Sequence, residues 1–174
     1  MKKLTVFVLV VSVFSGAVFG QGQEFTFRGL PWGASQEQVI AVLGQPDDEF
    51  MGRSGTLVYY HTKVAGHDAE LHLWGTSPIF RLQQAVYSIR PDEEDVGILE
   101  AIFLDLLAKL SVLYGIPNTN KWSSLPYWVV DKTLIELDFN RRNAFNRHGL
   151  ILSYESPEIN KIWRLIDHIY SKLS

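Results

Sequence analysis

Three segments alternate apolar and polar residues with a period of two, and this pattern constrains the chain more than any other. In Asp68–Trp74, Ala69, Leu71 and Leu73 face one way while Asp68, Glu70, His72 and Trp74 face the other. Ile135, Leu137 and Phe139 alternate with Glu136 and Asp138, and Leu150, Leu152 and Tyr154 alternate with Ile151 and Ser153. Such strands bury one face and wet the other, as in an antiparallel sheet covered on a single side. Thr56–Thr62 is β-branched and aromatic and reads as a further strand, Phe25–Arg28 as a short one. Ile79–Ile89 is another, its alternation broken at Gln83–Gln84. Ala65-Gly66-His67 marks a turn, and Asp47 to Gly55 reads as a polar loop.

Between these strands the period changes to that of a helix. Ser35 with Gln38 forms a capping box ahead of Val39, Val42 and Leu43, while Gly44 and Pro46 stop the helix. Asp92 and the acids at Glu93, Glu94 and Asp95 suit the start of a longer helix. Its apolar positions are Val96, Leu99, Phe103, Leu106, Leu107, Leu110 and Tyr114, and Gly115 and Pro117 end it. Ser156-Pro157-Glu158 opens a last helix with Ile159, Ile162, Trp163, Ile166 and Tyr170 on its buried face. Leu43-Gly44-Gln45-Pro46 and Tyr114-Gly115-Ile116-Pro117 are alike, and each follows a helix and precedes strands. The expected fold is therefore α+β. It is one domain of two related helix-plus-antiparallel-strand units, about 25–89 and 92–174, with the helices packed on an antiparallel sheet. Neither unit alone is large enough to bury a good core.

The first twenty residues are an address. Lys2 and Lys3 precede the apolar run Leu4–Phe14, and small residues follow at Ser15, Gly16, Ala17 and Gly20. That order is a secretory signal peptide, and the run is short of the ~20 apolar residues a membrane span needs. Cleavage is expected after Gly20, or else after Ala17; a retained anchor is the alternative. Loss of Lys2 and Lys3 leaves 14 basic and 19 acidic groups, a net charge of −5. A mildly acidic chain lacks the basic surplus of a nucleic-acid binder. The absence of Cys excludes disulfides, Cys-zinc sites, thiol nucleophiles and lipidation through Cys. The protein is expected to be periplasmic or secreted.

Motifs for chemistry are sparse. The sequence has no Gly-x-Ser-x-Gly elbow, no His-Glu-x-x-His and no phosphate-cradling glycine loop. Glu70 and His72 share a strand face and Glu136 and Asp138 share another; both pairs read as the wet side of a sheet. No catalytic residue, metal or cofactor is assigned. Two candidate binding surfaces remain. One is the loop Asn140–Gly149, with Arg141, Arg142 and Arg147 around Phe145 and His148. Its guanidiniums suit carboxylate or phosphate, while a solvated loop that guards a strand edge is the plain alternative. The other is the strand face of His72 and Trp74.

Phe27 to Val39 (FRGLPWGASQEQV), Leu43-Gly44-Gln45-Pro46 and Leu57 to Tyr60 (LVYY) resemble a motif of secreted bacterial proteins. The resemblance is to the BamE (SmpA/OmlA) type of outer-membrane assembly lipoprotein and to the tandem-repeat β-lactamase inhibitor proteins. Nearer still are periplasmic proteins that carry Trp-Gly-x-Ser and a later Tyr-Gly-x-Pro. This chain lacks the lipid-bearing Cys and has a second repeat. The resemblance implies a small envelope protein that binds other proteins and is not an enzyme. The expected function is thus a non-enzymatic, protein-binding module of the cell envelope. Its partner is another envelope protein, with a membrane surface possible. The alternatives are a small-ligand or lipid carrier and, third, a small periplasmic hydrolase.

Overall fold

The computed structural model describes residues 25–51, 54–76, 79–90, 96–119, 125–140, 149–159 and 161. The expected signal peptide, the caps at 92–95, the loop residues 141–148, Trp122, and Ile162 to Tyr170 of the last helix lie outside them.

A two-strand hairpin, β1 (Thr26–Phe27) and β2 (Leu30–Pro31), leads into α1 (Gln36–Leu43). Four strands follow: β3 (Asp48–Met51), β4 (Ser54–Val64), β5 (His67–Thr76) and β6 (Leu82–Ile89). Helix α2 (Val96–Tyr114) precedes β7 (Asn118–Thr119), β8 (Pro126–Val130), β9 (Thr133–Asn140) and β10 (Gly149–Glu155). Strands β3 to β10 form one antiparallel sheet of eight in the order β3-β4-β5-β6-β10-β9-β8-β7. The N-terminal hairpin and two hairpins of the large sheet turn in two residues, each with both φ values positive: Arg28 and Gly29, Ala65 and Gly66, Asp131 and Lys132. Turns of that hand match the twist of the flanking strands.

Alternation governs β5, β6 and β10, while β4 buries both faces over Gly55–Tyr59 and shifts register against β5 after Tyr59. Leu57, Leu73, Ala85, Tyr154, Ile135 and Trp128 lie in register across one face, with Tyr59, Leu71, Tyr87, Leu152 and Leu137 in the next row. All are buried. The N-terminal hairpin packs on this face: Phe27 lies 6.0 Å from the Tyr87 ring and 5.4 Å from Tyr154, and Phe25 stacks on Trp32 and Tyr154. Helix α2 covers the far end of the same face, with Phe103 against Phe139 and Tyr114 against Trp128.

The α+β expectation of two repeated units, with helices packed on a sheet, is corrected. The molecule is mostly β, and its centre is a single continuous sheet. Among the described residues α1 buries only Val39, and α2 buries Leu99, Leu106 and Leu110; nearly all the remaining core comes from strands and the N-terminal hairpin. The supposed polar loop Asp47–Gly55 contains β3, and β8 forms at Pro126–Val130, where the sequence pattern marked no strand. Both strands gain their hydrogen bonds from partners in the sheet, which outweigh weak local preference.

The helix punctuation stands as expected. Ser35 Oγ accepts from Gln38 N, and Gln38 Oε1 accepts from Ser35 N. Gly44 and Gly115 have φ of 87° and 86°. Each carries a carbonyl that accepts from an aromatic side chain: Tyr59 Oη to Gly44 O at 3.1 Å, and Trp128 Nε1 to Gly115 O at 2.8 Å.

Candidate functional site

The face of the sheet turned away from α1 and α2 holds the polar half of every alternating strand. One row across it reads Val58, His72, Val86, Ser153, Glu136, Tyr127. The next reads Thr56, Trp74, Gln84, Glu155, Leu134, Val129, and a third Glu70, Ser88, Ile151, Asp138. Strand pairing therefore puts His72 and Glu136 three strands apart, about 14 Å. Trp74 is 40% exposed near one end of its row and Val129 45% exposed at the other.

His72 and Trp74 thus sit where the alternation places them, on the polar side. His72 Nε2 lies 3.3 Å from Glu70 Oε2, and Arg90 Nη1 lies 3.8 Å from the same oxygen. Glu70 is shared between an imidazole and a guanidinium, which ties one end of the face together. Arg141, Arg142, Phe145, Arg147 and His148 lie outside the described residues. In sequence they join β9 to β10, the two strands that carry the acids of this face.

Sequence reasoning treated Glu136 and Asp138 as ordinary wet-face residues and did not weigh Glu155. The sheet groups all three on neighbouring strands β9 and β10. Burial pushes the Glu136 carboxyl above its usual range, with the Asp138 charge adding to the effect. Asp138 is raised by burial. Glu155 is raised by burial and then by Glu136, against a hydrogen bond from Gln84 Nε2 at 3.0 Å. Among the described residues none of the three has a Lys or Arg partner. Partial burial with no cation leaves strong acceptors facing outward. The only sequence signal was that polar positions 136, 138 and 155 all carry carboxylates on strands whose alternate positions are apolar.

Among the described residues no group of three or more His, Asp or Glu has metal-binding geometry. An apolar cleft of about 480 Å³ lies between the β4–β5 turn and the end of α2, lined by Ala65, Gly66, Lys109, Val112 and Leu113. It lies beside α2, on the covered side of the sheet, away from the three acids of β9 and β10.

No family model and no curated protein matches this chain. The expected kinship with the BamE-type lipoproteins and the β-lactamase inhibitor proteins is therefore withdrawn, since the structure is mostly sheet and not of the BamE-like α+β form. Its motif was one of helix caps and stops, which many folds share. The chain is weakly similar to a solved structure, an extracellular protein containing an SCP domain from Bacillus anthracis str. Ames. The two share 12% identity at a TM-score of 0.42, over 74% of this chain and 45% of that protein. The chain thus spans less than half the length of that neighbour, and a likeness at this level carries no argument about fold or activity.

Proposed function

We propose that this protein is a non-enzymatic, protein-binding module of the cell envelope, periplasmic or secreted, which engages its partner through the polar face of the sheet. One observation carries the reading. The covered face is filled by the core. The other face joins exposed Trp74 and Val129 to three carboxyls that have no cation partner among the described residues. Exposed aromatic surface beside strong acceptors is the composition of a contact patch, and Trp is among the residue types that dominate binding energy. The basic, apolar and small-residue order of residues 1–20 supports export.

A photo-crosslinking side chain placed at Trp74, and separately at Val129, tests this in the native envelope. Both positions should yield the same adduct, while Gln36 on α1 should yield none. Trp74→Ala should weaken binding to the captured partner by ~10-fold or more. Adducts equally abundant from Gln36, or none from either face position, would remove this face from the interface.

A further inference from the structure

Strand β4 outruns its neighbour. It spans Ser54–Val64, and β3 pairs with it only from Gly55 to Val58. The reason lies in the chain ahead of β3. Helix α1 stops at Gly44, and Pro46 has no amide with which to continue a ladder. Asp47 makes the last backbone bond, its N donating to Val58 O at 2.8 Å. Beyond that point the outer edge from Tyr59 to Val64 (YYHTKV) has no strand beside it among the described residues. The segment is rich in aromatic and β-branched residues, which suit a strand, and a bare edge of that kind is a template for another chain.

Two charged side chains from separate elements lie along this edge. Asp47 Oδ2 accepts from the Tyr60 amide at 2.7 Å. Arg28 Nη2 donates to the Lys63 carbonyl at 2.9 Å and to Thr62 Oγ1 at 3.3 Å. Arg28 stands in the turn of the N-terminal hairpin with a φ of 51°, and its guanidinium lies 5.4 Å from the centre of the Tyr87 ring, which directs it across the sheet toward β4. Asp47 is fixed by its own amide bond to the same strand. Each contact joins an ion to a backbone group, and such bonds are roughly twice as strong as those between neutral groups.

We propose that Asp47 and Arg28 close this edge against a second copy of the chain, whose own β4 would otherwise add to it as an antiparallel strand. Each side chain occupies a backbone group that an added strand needs: the Tyr60 N–H as donor and the Lys63 C=O as acceptor. An incoming strand must first displace two charge-assisted bonds, and its neutral backbone offers the freed carboxylate and guanidinium no equal partner. Charge laid along an edge is one of the means by which sheets avoid pairing with one another. The closure does not depend on Trp74, Val129 or the acids of β9 and β10, so it stands or falls apart from the binding face.

Sedimentation velocity and amide hydrogen exchange on a chain carrying Asp47→Ala and Arg28→Asn together test this. Asn keeps the left-handed backbone of the turn but is too short to reach β4. Both replaced side chains are exposed, so protection elsewhere in the sheet should be unchanged. At low micromolar concentration the Tyr60 amide should exchange ~10-fold or more faster than in the parent chain, as loss of a bond to a charged group implies. Raising the concentration should add an association step absent from the parent chain, and protection of the Tyr60 amide should return with it. Asp47→Asn alone, which keeps an acceptor for that amide, should sediment as the parent does. A double variant that shows no added association overturns the proposal, and so does one that associates while its Tyr60 amide still exchanges fast. Protection lost throughout the sheet overturns it too, and makes the two residues supports of the fold instead.

Discussion

Gly75 shows how much one residue's space decides. It pairs with Leu82 where the register between β5 and β6 shifts. A Cβ there would stand 2.8 Å from Arg81 O and 2.8 Å from the Phe80 ring. Backbone cannot swing aside as a side chain can, so the sheet itself would have to move. Gly75→Ala should therefore cost ~1–3 kcal/mol, read as a lower denaturant midpoint at an unchanged slope. An unchanged midpoint would show that Phe80 and Arg81 yield freely. At this scale alternation alone put His72 and Trp74 on the polar side. Trp128 was not legible in that way. It is buried because β8 joins the sheet and turns its indole inward, where it reaches the Gly115 carbonyl. The partner that decides this is distant in space and leaves no local trace.

The helix ends are the most legible elements. Gly44 and Gly115 stop α1 and α2 with positive φ, and in each the amide donates to the carbonyl four residues back, Ile40 and Ser111. A β-branched residue resists that backbone region. Gly115→Val should destabilise by ~1 kcal/mol or more, lowering the melting temperature by roughly 2–4 °C per kcal/mol for a chain of this size. A neutral melt would count against the conformational role of this glycine. The length of α2 was legible too, but its burial was not. The positions Val96, Leu99, Phe103, Leu106, Leu107, Leu110 and Tyr114 form an apolar stripe in the sequence. The sheet takes only Leu99, Leu106 and Leu110 fully and leaves Val96 exposed. Strands β3 and β7 had no local signature, one being acid-rich and the other two residues long. They exist because β4 and β8 offer them a free edge.

For the whole molecule, the cluster of acids on β9 and β10 predicts a pH dependence. The raised folded-state values of Glu136, Asp138 and Glu155 mean that folded protein holds protons which the unfolded chain has already lost. Their contribution to stability is complete below the ordinary carboxylate range and is lost as pH rises through the folded-state values. Replacing all three by their amides should raise the melting temperature at neutral pH. The three side chains remain partly solvated, so the gain per residue is at most about 1 kcal/mol, or roughly 2–4 °C. The gain should vanish once the pH falls below the ordinary carboxylate range. A gain equal at both pH values would mean that the three carboxyls titrate normally. The sequence by itself determined what depends on neighbours along the chain. That comprises the two-faced strands, the capping box and the glycine stops. Each follows from backbone period or from hydrogen bonds within a few residues. Only the tertiary structure decided that eight strands close into one sheet, that β6 meets β10, and that both helices and the N-terminal hairpin share one face. Strand edges compete for partners across the whole chain, and neither propensity nor alternation records which edge meets which. The acidic cluster is a product of that pairing, which is why Glu155 stood apart from Glu136 and Asp138 in the sequence and stands beside them in the fold.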